Sequence, residues 1–150
     1  MASAAALYTP EVLALATSLA AFPLDAALTL RGDARSSRCG SSLTVGLLLG
    51  PDGRIGRVGV AAHACAVGQA AAAIFAHAAT GLRQSDIAAA QNAIAQWLDA
   101  AARGVAVPLP DWPGLGAIAP SAAFPARHGA ILLAWQGALA AFAACQSPMA

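Results

Sequence analysis

The 150-residue chain contains no lysine; its eight basic residues are all arginines, set against seven acids, for a net charge of +1. Proteins that neutralise many phosphates need clustered basic side chains, and this near-neutral balance supplies no such stripe. Nucleic acid is therefore not an expected partner. Charged residues of any sign are scarce at 10%, while hydrophobic ones reach 59%. Such proportions suggest a membrane protein until alanine is counted, because alanine supplies 44 of the hydrophobic residues. Alanine favours helix and adds little apolar area. Two stretches lack Asp, Glu and Arg, from Val58 to Leu82 and from His128 to Ala150. A spanning helix needs about 20 predominantly apolar residues. The first stretch is interrupted by His63, Gln69, His77 and three glycines, the second by His128, Gln136 and a polar Gln146-Ser147-Pro148 tail. No membrane span is expected. No basic residue precedes the apolar part of the N-terminus, and Pro10-Glu11 breaks it, so a secretory leader is not expected and a cytoplasmic location is. Three cysteines make a poor disulfide framework and a fair inventory for an intracellular thiol site.

What is present organises as one domain of α+β type. Thr9-Pro10 opens a first helix, with Thr9 as N-cap and Pro10 at the first helical position, and Phe22-Pro23 stops it. Ala26 to Arg31 reads as a short strand, followed by a polar loop from Gly32 to Gly40 that carries Cys39. Ser42 to Leu49 and Arg54 to Ala62 flank Pro51-Asp52-Gly53, a strong hairpin signal. From Ala66 the chain turns alanine-rich at helical period as far as Thr80-Gly81. Ser85 is expected to cap a second long helix ending near Gly104. A proline-rich connection follows from Val107 to Pro113, then a short turn or helix from Leu115 to Ala119. Pro125 starts a last helix that runs to about Ala144. One antiparallel hairpin or three-stranded sheet, covered by helices that mostly follow it, is the expected architecture.

The chemistry gathers around two cysteines. If Asp52-Gly53 is a two-residue turn, paired positions across the hairpin sum to 105, whereas Cys39 and Cys65 sum to 104. Both thiols are thus expected at the open end of the same hairpin. Cys65 also stands where the outgoing strand hands over to a helix, whose positive end favours thiolate over thiol. His63 precedes Cys65 by two residues, so an extended segment would place both on one face. His128 lies just inside the last helix, whose first turn can face the hairpin end. Either histidine is a candidate ligand or proton-transfer group. Cys145 lies outside this convergence, and a small buried thiol among alanines remains the plain alternative for Cys65 alone.

These residues resemble the U-type iron–sulfur cluster scaffolds: IscU, the N-terminal domain of NifU, and SufU. That family presents three cysteines and an aspartate from three loops at one end of a small α+β domain. Its Cys-Gly-Asp before a strand is matched by Cys39-Gly40-Ser41 before Ser42 to Leu49. Its cysteine at the start of an alanine- and serine-rich helix is matched by Cys65. The SufU branch carries Phe-Pro-Ala-Arg, then a cysteine three residues on, then a tryptophan; here Phe124-Pro125-Ala126-Arg127 and Trp135 fit. The segment Leu115-Gly116-Ala117-Ile118 favours the same branch, and the resemblance spans Arg38 to Leu139. The departures are as informative. The third cysteine position is Ala130, the position before it, often a functional His or Lys, is Gly129, and the aspartate position is Ser41.

The resemblance implies a SufE/NifU (IscU-like) fold and an assembly scaffold for iron–sulfur clusters. Cys39 and Cys65 carry over as ligands, completed by His128, two residues from the missing cysteine, or by His63. Such a set suits iron, zinc, or a [2Fe–2S] cluster shared across a homodimer. Cysteine desulfurase and iron–sulfur apo-proteins are the implied partners. In the family the third cysteine receives sulfur as a persulfide, so its loss bears directly on the route of sulfur entry. A metal-free adaptor or regulator docking on a cysteine desulfurase is the alternative. A small zinc enzyme or thiol transferase using Cys65 as nucleophile is the third reading, and no carboxylate is placed to support it.

Overall fold

The computed structural model describes residues 7–37 and 40–146. Cys39, with its neighbour Arg38, therefore lies outside the described residues. The elements run α1 (Pro10–Ser18), β1 (Leu30–Arg35), β2 (Ser42–Leu49), β3 (Ile55–His63), α2 (Ala66–Ala79), α3 (Gln84–Ala102) and α4 (His128–Gln146), with 3-10 turns at Leu19–Ala21, Leu115–Ala123 and Pro125–Arg127. The three strands form one antiparallel sheet in the order β1-β2-β3. This is the α+β class and the three-stranded sheet that the sequence leads one to expect.

Alternation along the strands gives the sheet two unlike faces. Leu43, Val45 and Leu47 of β2 and Val58 and Val60 of β3 point inward and are buried. The helix α4 lies across this inner face on β1 and β2, while α2 packs against α1, α4 and β3. What permits so close an approach of α4 is a pair of glycines. A Cβ on Gly32 would overlap the Gly137 carbonyl and come within 2.8 Å of the Ala140 carbonyl carbon, and a Cβ on Gly137 would lie 2.9 Å from Val45 Cγ2. Behind the helices, Phe75, Trp112 and Trp135 pack as an aromatic cluster with ring centroids 5.3 to 5.8 Å apart. Trp112 donates its indole N–H to the Ile74 carbonyl at 3.0 Å, and Trp135 leaves its own N–H without a partner. The run Pro125–Cys145, at 21 residues, is long and apolar enough to cross a membrane by length and composition, and half of its most apolar window is buried within this core.

Several local expectations hold and several are corrected. Thr9 caps α1, its hydroxyl accepting from Val12 N at 3.1 Å. The strand expected over 26–31 is displaced: Asp25 folds 25–28 into a turn through the Ala27 and Leu28 amides. The strand then occupies Leu30–Arg35, within the segment expected as a loop. Gly32 is poor in strand propensity and is placed there by tertiary contact with α4, which outweighs the local preference. The hairpin does not close on a two-residue turn. Gly50 N donates to Arg54 O at 2.8 Å, and an irregularity beside Leu48/Leu49 then restores the register, so Ser42 pairs with His63 as the sum of 105 requires. The N-cap of α3 is Arg83 in place of Ser85; the Asp86 carboxylate accepts from the Arg83 amide at 2.9 Å. The last helix opens as a 3-10 turn at Pro125 and becomes α-helical only at His128.

Candidate functional site at the open end of the sheet

Three segments meet where β1 hands over to β2 and β3 runs out into α2. The first is the β1–β2 loop. Ser36 N donates to Ser41 O at 2.8 Å and Gly40 N to Ser36 O at 3.1 Å, which ties the end of β1 to the start of β2. Gly40 takes a left-handed φ of 72°, which glycine adopts without strain. Ser36 and Ser41 are both buried. The second segment is the β3–α2 junction. Cys65 is the N-cap residue of α2, with extended backbone, and its side chain makes no capping hydrogen bond. Gln69 fixes this junction twice over: its amide donates to Cys65 O at 2.9 Å and its side chain to Ala64 O at 2.9 Å. The third segment is the first turn of α4, carrying His128, Gly129 and Ala130.

The contacts among these segments are short. A Cβ on Gly129 would overlap Ser36 Oγ and lie 3.1 Å from Ser36 Cβ, so the β1–β2 loop rests directly on the start of α4. A Cβ on Gly68 would lie 2.9 Å from Ala64 Cβ and 3.2 Å from Ala130 Cβ, which sets the junction after Cys65 against the same turn. Small residues at 68, 129 and 130 thus bring two loops and a helix start together. Ala130, the position of the absent cysteine in the resembling family, is 1% exposed. Ser36 fills the place into which a longer side chain at 129 would project.

The candidate ligands are placed differently from one another. Cys65 is half-buried and packs against the hydrophobic core. His128 is half-buried, and its Nε2 lies 2.7 Å from Ala122 O. A carbonyl only accepts, so Nε2 must carry the proton and the neutral ring keeps its lone pair on Nδ1. His63 ends β3, is exposed, and shares the outer face of the sheet with Ser42. Among the described residues no group of three His, Cys, Asp or Glu side chains forms a metal-ligand set. Cys65, His128 and His63 therefore do not make a complete site by themselves, and any set that includes Cys39 extends beyond the described residues. Cys145 lies beside Leu49, Asp52 and Gly53, at the hairpin-turn end of the sheet, opposite to Cys65. Arg127 reaches the Tyr8 hydroxyl at 3.2 Å, tying the start of α4 to the segment before α1.

Sequence reasoning singled out neither Ser36 nor Gln69. Gln69 had a signal, since it stands four residues after an N-cap candidate at the spacing of the first helical hydrogen bond. Ser36 had none, because its role arises from a contact with Gly129 across more than ninety positions of chain.

No family model matches the chain, and no curated protein matches it in sequence. Solved structures do match. The N-terminal domain of a nitrogen-fixing NifU-like protein from Brucella abortus superposes with a TM-score of 0.79 at 23% identity, over 93% of this chain and 94% of that one. A protein assigned as an iron–sulfur cluster assembly scaffold for the SUF system, from Fervidobacterium islandicum AW-1, superposes with a TM-score of 0.67 at 15% identity, over 93% of this chain and 99% of that one. At such identities the likeness establishes the fold. The chain has the fold of these NifU-like and SufU-like proteins over nearly its whole length, and the three segments described above meet at one end of it.

Proposed function

We propose that this chain is a divergent iron–sulfur scaffold or carrier, which holds a cluster, or the iron or zinc related to it, as cargo at the open end of the sheet. Cys39 and Cys65 supply the thiolates and His128 the third donor through Nδ1. His63 is the alternative third donor, standing on the outer face. The observation that carries this reading is the convergence of the β1–β2 loop, the β3–α2 junction and the first turn of α4, held by the Ser36–Gly129 and Gly68–Ala130 contacts. The donor chemistry fits soft or borderline metals, since thiolate and imidazole are what zinc and iron–sulfur sites take. Three donors leave one position open, as a carrier that must release its cargo requires. A cysteine desulfurase and iron–sulfur apo-proteins are the partners this role calls for.

One observation favours a second reading. Ala130 is apolar and buried where the resembling family places its sulfur-receiving thiol. A chain without that thiol would suit a metal-free adaptor that docks on a cysteine desulfurase without accepting sulfur. Anaerobic purification without an affinity tag, followed by metal analysis and absorbance spectroscopy, separates the two. Iron with visible charge-transfer bands, or near-stoichiometric zinc, lost in the Cys39→Ala/Cys65→Ala double variant, is the result expected of a scaffold. Protein that stays colourless and metal-free after iron and sulfide are supplied would sink that reading, and desulfurase binding unaffected by the double variant would then favour the adaptor.

A further inference from the structure

We propose that the uncovered strip of the sheet's outer face, between Arg35 and His63, binds a small oxyanion: a carboxylate or a phosphate group. The inference does not depend on the thiols holding cargo, and it assigns His63 to the oxyanion, with His128 as the imidazole donor to cargo.

Register sets the residues in a row. Arg35 pairs with Ser42 and Ser42 with His63, so all three side chains stand on the same face of neighbouring strands. Strand spacing of about 4.8 Å puts the guanidinium-bearing and imidazole-bearing positions on either side of the Ser42 hydroxyl. Part of this face is covered. Over Gly46 and Gly59 the segment 23–28 lies so close that a Cβ would come within 2.9 Å of Leu28 Cβ and 3.0 Å of the Pro23 carbonyl carbon. Over the Arg35 row it is open, forming a cavity of 380 Å³ whose lining includes Asp33, Arg35, Ser42, Thr44, Ala61 and His63. That volume is on the scale of a small-molecule pocket.

The charges around the cavity decide the sign of the ligand. Arg57 is paired with Asp25 at 2.5 Å, and Arg31 donates to the Leu28 and Asp25 carbonyls. Arg35 makes no ion pair among the described residues. Asp33, the only acid among the described residues that line the cavity, is already engaged: its carboxylate accepts from the Thr44 hydroxyl at 2.5 Å. Among the described residues the Arg35 guanidinium fork, the Ser42 hydroxyl and the His63 imidazole are not engaged, a set that suits the two oxygens of a carboxylate or phosphate. Asp33 one row away opposes a highly charged ligand, so a singly charged group is the class that fits.

The test is an amide NMR titration of the whole chain, with inorganic phosphate and with acetate as separate probes. Saturable shifts are expected at Arg35, Ser42 and His63, with Arg35→Ala and Arg35→Gln each weakening binding at least about tenfold, as loss of a charge-assisted hydrogen bond implies. Arg103→Ala, remote and paired with Asp99, should change nothing. Tighter binding of phosphate or of acetate identifies which source of the oxyanion the strip takes. Shifts that do not saturate, or that persist equally in both Arg35 variants while their spectra remain folded, would overturn the proposal.

Discussion

Gly32→Ala is the smallest change that should reach both the core and the candidate site. The added methyl would overlap the Gly137 carbonyl and the Ala141 amide and lie 2.8 Å from the Ala140 carbonyl carbon. All three are backbone atoms of α4, so no side chain can rotate away. The helix must lift, and a gap of even 0.5–1 Å forfeits about a quarter to a half of the dispersion energy of the facing atoms. Overpacking of this kind costs about 1–3 kcal/mol and sometimes more; with backbone on every side, about 3 kcal/mol is expected. For a chain of this length, that lowers Tm by roughly 6–12 °C. Because α4 begins with His128, Gly129 and Ala130, lifting it should also loosen the Ser36–Gly129 contact, visible as faster amide exchange at residues 36 and 41. Gly116→Ala is the control, since its Cβ would meet only Leu109 Cδ2 at an ordinary 3.7 Å. Gly32→Ala as stable as wild type to within about 0.5 kcal/mol in chemical denaturation would refute the claim that this glycine sets the helix on the sheet.

Other consequences are as direct. The Arg57 guanidinium beside Asp25, with help from the Ala27 amide, holds that carboxyl below its ordinary value of 3.8. A carboxyl depressed on folding contributes stability that is present above its unfolded value and lost as the pH falls through the folded one. NMR titration should therefore find Asp25 below 3.8 in the wild type and higher in Arg57→Ala, where the Ala27 amide still favours the carboxylate; an unchanged Asp25 would contradict the pairing. Trp112→Phe removes a buried hydrogen bond as well as volume, whereas Trp135→Phe removes volume and an unpartnered N–H. The first should be less stable by about 1 kcal/mol in denaturant, and the reverse order would be contrary to these contacts. Cys145 is exposed and Cys65 half-buried, so a maleimide reagent should modify Cys145 faster, and Cys145→Ser should leave metal content unaltered.

The sequence made the α+β architecture, the long helices and the open-end meeting of strand and helix legible, because alanine-rich periodicity and an Asp-Gly turn are local signals. It misplaced β1 because Gly32-Asp33-Ala34-Arg35 has the composition of a loop and becomes a strand only beneath α4 and beside β2. The hairpin register came out right through a turn of the wrong length, since the irregularity beside Leu48 compensates for the longer closure at Gly50 and Arg54. Ser85 looked like a cap by residue type, yet the carboxylate of Asp86 took that role. At the site, the pairing of Ser42 with His63 at the open end of the hairpin, just before Cys65, was readable from register arithmetic, while Cys39 lies outside the described residues. That Ala130 is buried, that Ser36 occupies the space beside Gly129 and that His128 commits Nε2 to Ala122 depend on contacts distant in sequence.

The measurement that bears most directly on the central claim is X-ray absorption at the zinc or iron edge of the loaded protein, in wild type and in His128→Ala. The account predicts sulfur donors from Cys39 and Cys65 together with an imidazole nitrogen, and loss of the imidazole signal in the variant. A metal shell without sulfur, or one whose sulfur donors survive the Cys39→Ala/Cys65→Ala exchange, would contradict it.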